Sequence, residues 1–385
     1  MYLYNSSHKN DSDITNKVVC AIVFCLLSFF WLYWFQADLL YITQHILSGR
    51  KTHYNSFLGA AIITGTLFVL QYFINKLIRF GKYTHALSYF PSVLLLAILS
   101  DIHPENSQFF NHHNWLIIIP IVSIIWGCVI WFSKQLSLLD QRSKKTTLPH
   151  QLWINLMELN FMMLLVVLFG NTNATSHYLA HVETSLVNNN LDEALRTGSR
   201  SQESDKNLTM LRAFALSQKG ELGDRLFEYP VYGMGEDLLP IGQKSNTPLL
   251  LTSSKIFRHL GAQPIAFKSS YRYLETLEKD SIGTEAAKNY KLTGLLIDRK
   301  LDDFVAQLSR YGDITDNMPI HYREALILYT HLRSNPILEY HNPIMDEDWD
   351  NFMRMKDATL SYNAMKGLIN EHYGNSYWYY YIFVK

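Results

Sequence analysis

Five long apolar runs are confined to the first 173 of 385 residues, and this confinement constrains the fold more than any other feature. A helix needs about 20 mostly apolar residues to cross the hydrocarbon core of a bilayer. The runs are 18–36 (VVCAIVFCLLSFFWLYWFQ), 57–75, 84–100, 114–133 and 151–169. Trp31 and Trp34 end the first as interfacial anchors. The third is shorter and carries Pro91, which membrane helices tolerate where neighbours satisfy the freed carbonyl. From about residue 175 the pattern changes to amphipathic helices joined by short links. The expected fold is therefore all-α, with a transmembrane bundle of about five helices followed by a soluble α-helical repeat domain. Residues 1–17 form a polar tail, 18–173 the bundle and 174–385 the repeat domain. The polar tail and the long first run lack the short apolar core and small-residue cleavage site of a secretory signal, so that run is expected to be a retained anchor.

The net charge of zero conceals two different materials. Residues 1–173 carry 11 Lys+Arg and 7 Asp+Glu, whereas 174–385 carry 23 and 27. No strongly basic tract occurs, which argues against nucleic-acid binding. Near the helix ends, nine Lys and Arg fall on the side of the N-terminal tail and the 2–3 and 4–5 links; Arg142, Lys144 and Lys145 are among them. Only Arg50 and Lys51 fall on the other side. The positive-inside bias places the N-terminus in the cytoplasm and 174–385 in the periplasm of a bacterial inner membrane, with membrane lipid as one partner. Cys20, Cys25 and Cys128 all lie in apolar runs and read as small apolar helix residues. No cofactor is expected.

Two loops on the outer side are polar and rich in histidine. Residues 36–55 (QADLLYITQHILSGRKTHYN) hold His45 and His53, and residues 101–113 hold His103, His112 and His113. Neither set has the helical spacing of a ligand pair, so a polar interfacial collar is expected rather than a metal site. Inside the fifth run, Asn155, Glu158 and Asn160 form a polar group, with Asn155 and Glu158 on one helix face. An intramembrane carboxyl is a functional candidate by default. Hydrogen bonding between helices, or reach to the interface, is the favoured role here, ahead of transport.

In the second half, Asn189-Asn190-Leu191-Asp192-Glu193-Ala194-Leu195 and Gly220-Glu221-Leu222 share a turn pattern 31 residues apart. Asn or Gly reverses the chain, and a large apolar residue two positions on packs into the helix pair. The pattern returns less cleanly at 258–280, 297–314 and 321–336. It looks like a degenerate tetratricopeptide-like array, whose repeat is 34 residues. That likeness implies a concave surface for a protein or peptide. The tail, NSYWYYYIFVK, is strongly aromatic. Tyr377, Trp378 and Tyr380 would cap the repeat core, sit at the membrane interface, or form a stacking platform for a peptide or sugar.

The order of features resembles a family of uncharacterised multi-pass inner-membrane proteins of Bacteroidetes-type bacteria. The resemblance rests on DLLYITQHILSGRKTHYNSFLGA from Asp38, HALSYFPSVLLLAILSDI from His85, and the ending GNSYWYYYIF. It implies the architecture and supplies no activity. The leading reading is a membrane-anchored helical-repeat scaffold that binds a protein or peptide. An enzyme is the alternative. Asp38 stands where the first helix leaves the membrane, a position similar to the acidic base of membrane glycosyltransferases that use lipid-linked sugars. Arg50 would then face a donor phosphate and His45 or His53 would assist. Those enzymes have more spans and a paired acidic motif, whereas this chain has a lone Asp. A transport role centred on Glu158 is a further alternative.

Overall fold

The computed structural model describes residues 2–78, 80–103, 114–139, 148–241, 248–264, 269–312, 314–315 and 317–384, with side chains left undescribed at 2–12 and 136–139. His112, His113, Arg79, Arg142, Lys144 and Lys145 therefore lie outside the described residues. The fold is all-α, with no strand among the described residues. The chain divides into two compact units, Met1–His177 and Tyr178–Lys385.

The first unit opens with α1 (Tyr2–Phe30), which runs into a π-helical turn, Trp31–Phe35. A short helix α2 (Ala37–Leu47) follows, then α3 (Ser56–Leu77). A 3₁₀ turn, His85–Tyr89, leads into α4 (Phe90–Ser100). The last two helices are α5 (Trp115–Leu139) and α6 (Leu148–Phe169). Among the described residues, four segments are long and apolar enough to cross a membrane: Asp13–Phe35, Ser56–Leu77, Trp115–Gln135 and Leu148–Phe169. The expected run 84–100 yields only the shorter His85–Ser100.

Pro91 explains the short helix. It sits in the first turn of α4, where its missing N–H leaves no hydrogen bond unmade, so the regular helix begins there. Five 3₁₀ residues at about 2.0 Å each and eleven α-helical ones at about 1.5 Å reach roughly 26 Å, somewhat short of a ~30 Å hydrocarbon core. This helix packs against α3 and α6, and both it and its 3₁₀ turn are largely buried.

Polarity in this unit is inverted relative to a water-soluble bundle. Leu116, Ile124 and Trp131 of α5, Ile62 and Phe73 of α3, and Phe161 and Leu168 of α6 point outward. Gln71, Ser88, Ser92 and Asn155 are inside. Gln71 Nε2 donates to Ser88 Oγ at 2.8 Å, and Ser92 Oγ donates to the Leu67 carbonyl at 2.7 Å. In lipid the apolar tails give no drive for helices to associate, so such bonds and close packing hold the bundle.

From Ala174 the chain is a succession of helices, the second unit beginning within the first of them: α7 (Ala174–Val187), α8 (Leu191–Arg196), α9 (Lys206–Lys219), α10 (Leu222–Arg225), α11 (Ser253–Leu260), α12 (Ser270–Lys279), α13 (Glu285–Ile297), α14 (Leu301–Tyr311), α15 (Ile320–Leu332), α16 (Pro343–Lys356), α17 (Tyr362–Tyr373) and α18 (Tyr377–Phe383), of which α9, α13 and α15 are largely buried. Three links share one local geometry. Asn189, Gly220 and Arg299 adopt left-handed φ values of 56°, 75° and 57°. One residue further on, the backbone N–H of Asn190, Glu221 and Lys300 donates back to Ser185, Leu216 and Leu295 at 2.9 Å in each case. This six-to-one bond closes the helix C-terminus as a Schellman motif. Leu222 and Leu301, two positions after the left-handed residue, are buried, and Leu191 packs partly buried against the same core. The helices after the first two turns are short, with six residues in α8 and four in α10.

Candidate functional site

Two adjoining cavities lie in the second unit, one of about 480 Å³ and one of about 490 Å³, and both have Glu228 and Asn375 in their walls. The helix ends build them. Leu195 and Ala194 are buried in the core, so α8 turns Arg196 outward and Arg200 follows after Gly198. Arg196 and Arg200 line the first cavity and form no ion pair among the described residues, although Arg196 acts electrostatically on Asp192. Arg225 lines it too, but its charge is satisfied by Glu221 at 2.7 Å and Glu228 at 3.0 Å. The second cavity carries Asp224, Asp348, Glu371 and His372. Asp224 accepts the Ile320 N–H at 2.8 Å, whereas Asp348 and Glu371 form no ion pair among the described residues. The first cavity thus carries Arg196 and Arg200 beside Asp192, and the second is predominantly acidic.

A buried pair supports the acidic end. His321 Nδ1 lies 2.9 Å from Glu324 Oε2, and both residues line the second cavity. Glu324 Oε2 also accepts the Tyr377 N–H at 2.7 Å, and its carbonyl accepts the Trp378 indole N–H at 2.7 Å. His321 Nε2 is buried and makes no hydrogen bond. Tyr377, Trp378 and Tyr380 are themselves buried. Tyr377 Oη donates to the Leu296 carbonyl at 3.1 Å and Tyr380 Oη to the Ile297 carbonyl at 3.0 Å. Their rings are packed into the core, and no face is left for a stacking ligand.

In the first unit, Asp38, Tyr41 and His45 recur at intervals of three and four residues on α2, so they share one face. The loop after α2 folds His53 back onto that face. Tyr41 Oη lies 3.2 Å from His53 Nδ1, and the His45 and His53 rings are 6.1 Å apart. Arg50 acts on the same place electrostatically: burial lowers the pKa of His45 first, and the neighbouring Arg50 and His53 lower it further. Asp38 lies a further two turns back and interacts with His177, whose pKa burial pushes down. The structure brings His45, Arg50 and His53 together, with Asp38 two turns back on the same face of α2. No cluster of three or more His, Cys, Asp or Glu suited to a metal occurs among the described residues.

Asn155, Glu158 and Asn160 of α6 behave differently from one another. Asn155 bridges segments: its Oδ1 accepts the Ala86 N–H at 2.9 Å and its Nδ2 donates to the Lys82 carbonyl at 2.8 Å. Asn160 is exposed and bonds only within its own helix, to the Leu156 carbonyl. Glu158 is half-buried and its Oε2 has no hydrogen-bond partner.

The other end of this unit holds a polar node that sequence reasoning missed. Asp101 is fully buried; Trp115 Nε1 donates to it at 2.8 Å and His103 Nε2 lies 3.3 Å away. Asn171 accepts Gln36 Nε2 on its carbonyl and donates to the Ile102 carbonyl. The only signal in the sequence was the Asp-Ile-His after an apolar run.

Together these features define an all-α protein with apolar helices of membrane-spanning length in one unit and a helical unit bearing a polar cleft. A family described as a family of unknown function (DUF6057) matches residues 103–284 and 276–384, and the chain belongs to it. No curated protein and no solved structure matches the chain.

Proposed function

We propose that this protein is a scaffold anchored in a bacterial inner membrane, whose tetratricopeptide-like unit binds a protein or peptide partner. In this reading His85–Ser100 is a fifth, shorter crossing, so the N-terminus is cytoplasmic and 174–385 is periplasmic, as the positive-inside bias suggests; with four crossings the two would share one side. The observation that carries the proposal is the charge-divided cleft of the second unit. Arg196 and Arg200 lie at one end and Asp348 and Glu371 at the other, and none of the four forms an ion pair among the described residues. A polar cleft of this kind suits an extended segment bearing charges of both signs better than an apolar small molecule. The repeated left-handed turns support a helical-repeat origin for the surface.

The test is crosslinking and pull-down of the full chain from membranes, compared with a chain lacking 178–385 and with an Arg196→Glu/Arg200→Glu variant. The reading expects partners to be lost from both. Partners retained by the double variant would remove the cleft from the proposal. Partners retained by the truncated chain would remove the scaffold role of the repeat unit.

A second reading keeps the enzyme alternative, a glycosyltransferase-like activity on a lipid-linked sugar. It is favoured by Asp38, Tyr41 and His45 lying on one face of α2 beside His53. Asp38→Asn abolishes activity under this reading and is silent for partner capture under the first.

A further inference from the structure

We infer that His45, Arg50 and His53 form a binding site for a phosphate-bearing anion, either the phosphate of a lipid headgroup or a soluble phosphate. The inference goes beyond the scaffold reading and stands on different residues.

Geometry comes first. α2 ends at Leu47, and two consecutive left-handed residues, Gly49 at φ 62° and Arg50 at φ 67°, turn the chain back. The Arg50 N–H donates to the His45 carbonyl at 2.8 Å, the Thr52 N–H to Ser48 Oγ at 3.2 Å, and Gln44 Nε2 to Thr52 Oγ1 at 3.1 Å. These bonds hold residues 48–53 against α2 and seat His53 beside Tyr41 and His45.

Charge comes second. Among the described residues, no carboxylate forms an ion pair with His45, Arg50, Lys51 or His53. Arg50 and His53 act on His45 as like charges. Three cation-capable groups are thus drawn together by backbone bonds that their mutual repulsion opposes. His45 Nδ1 is buried without a hydrogen-bond partner. An anion among them would turn repulsion into attraction and give the imidazoles an acceptor. Guanidinium and imidazolium groups suit phosphate oxygens through charge-assisted hydrogen bonds.

The setting comes third. α3 begins at Ser56, three residues after His53, and the positive end of a 22-residue helix adds to the field. Leu47, Phe57 and Leu58 flank the site and are exposed. Cationic groups beside exposed apolar helix surface match the level of lipid phosphates.

The test uses the full chain and three probes. Retention of phosphatidylglycerol against phosphatidylcholine is counted by native mass spectrometry after exchange with mixed vesicles. Inorganic phosphate is titrated calorimetrically. The variants are Arg50→Gly, which removes the charge and relaxes a left-handed backbone position, and His45→Gln/His53→Gln. A lipid source is shown by preferential retention of phosphatidylglycerol that falls about tenfold or more in both variants. A soluble source is shown by inorganic phosphate binding with the same losses and no lipid preference. The inference is overturned if neither probe binds, or if the variants bind as the native chain does. The lipid arm depends on the membrane-spanning reading of α3 and the phosphate arm does not, so failure of one reading is separable from failure of the other.

Discussion

The Glu324 carboxylate and the Tyr377 backbone N–H meet at 2.7 Å inside the second unit, although 53 residues separate them in sequence. The same oxygen is 2.9 Å from His321 Nδ1, so one carboxylate oxygen satisfies both a buried imidazole and the N-terminus of α18. Glu324→Ala leaves both groups buried without an acceptor. A cost of about 2–4 kcal/mol is expected, since an orphaned buried donor loses its full solvation. Glu324→Gln keeps an acceptor and costs less. Hydrogen exchange at 377–384 reads the loss directly: in the Ala variant these amides exchange faster than those of α13.

The left-handed turns allow a paired prediction. Ser281 and Arg299 both sit at φ 57°. Ser281 is exposed, so Ser281→Gly removes strain and stabilises the protein by about 0.5–1 kcal/mol. Arg299 reaches the Val384 carbonyl and stacks over the Tyr380 ring with its guanidinium 5.3 Å from the ring centroid. Arg299→Gly gains the same backbone relief but loses these contacts, and the expected net result is destabilisation. Chemical denaturation of the two variants side by side checks the opposite signs. Equal signs would mean that the guanidinium contributes nothing.

These two turns show what was legible in the chain and what was not. Apolar runs announce their helices because lipid imposes about 20 residues on any crossing. The run at 84–100 was readable as apolar and as the shortest of the five, but not how it divides into a 3₁₀ turn and a helix, because the effect of Pro91 depends on whether it falls inside a helix or starts one. The turn at Gly220 was visible because glycine is the residue that enters left-handed φ freely. Arg299 carried no such mark, since its strain is offset by contacts some 80 residues away. The cleft was illegible for the same reason. The cavities holding Arg196 and Arg200 and holding Asp348 and Glu371 come to share the walls at Glu228 and Asn375 only through packing, and nothing local in either segment marks them as joined. In the loop after α2 the residue types were legible. That His53 and Arg50 gather on His45 follows from the Gly49–Arg50 reversal.

The two Asn residues of α6 separate interhelical bonding from mere polarity. Asn155 is fully buried and bonds to Ala86 and Lys82 as well as to Gln151 of its own helix. Asn155→Ala removes two links to a neighbouring segment in surroundings with little water to replace them. A loss of about 1–2 kcal/mol is expected. Asn160→Ala removes only a bond within its own helix and is expected to be close to neutral. Thermal unfolding of the purified full chain in detergent, followed at both positions, decides the matter. A comparable loss from both variants would show that the interhelical contacts of Asn155 carry no special weight.

Glu183 makes the stability of the second unit depend on pH. Its side chain is almost wholly buried, and its Oε1 accepts the N–H groups of Leu250 at 2.5 Å and Leu251 at 2.9 Å. Burial is the dominant effect and pushes its pKa up from 4.5 to about 7, with the backbone hydrogen bonds opposing it. Between these values the unfolded chain has lost this proton and the folded chain keeps it. The folded state therefore binds more protons, and stability falls as pH rises. The contribution is fully present below about pH 4.5 and is lost as pH passes through about 7. At ~1.4 kcal/mol per unit the effect is on the order of 3 kcal/mol. Glu183→Gln keeps the acceptor oxygen for Leu250 and Leu251 without an ionisable group. Unfolding midpoints measured from about pH 5 to about pH 8 should decline for the native chain and decline less for the variant, which becomes the more stable of the two at the upper end. Parallel profiles would show that Glu183 is ionised in the folded protein throughout, held so by the amides of the 249–251 turn.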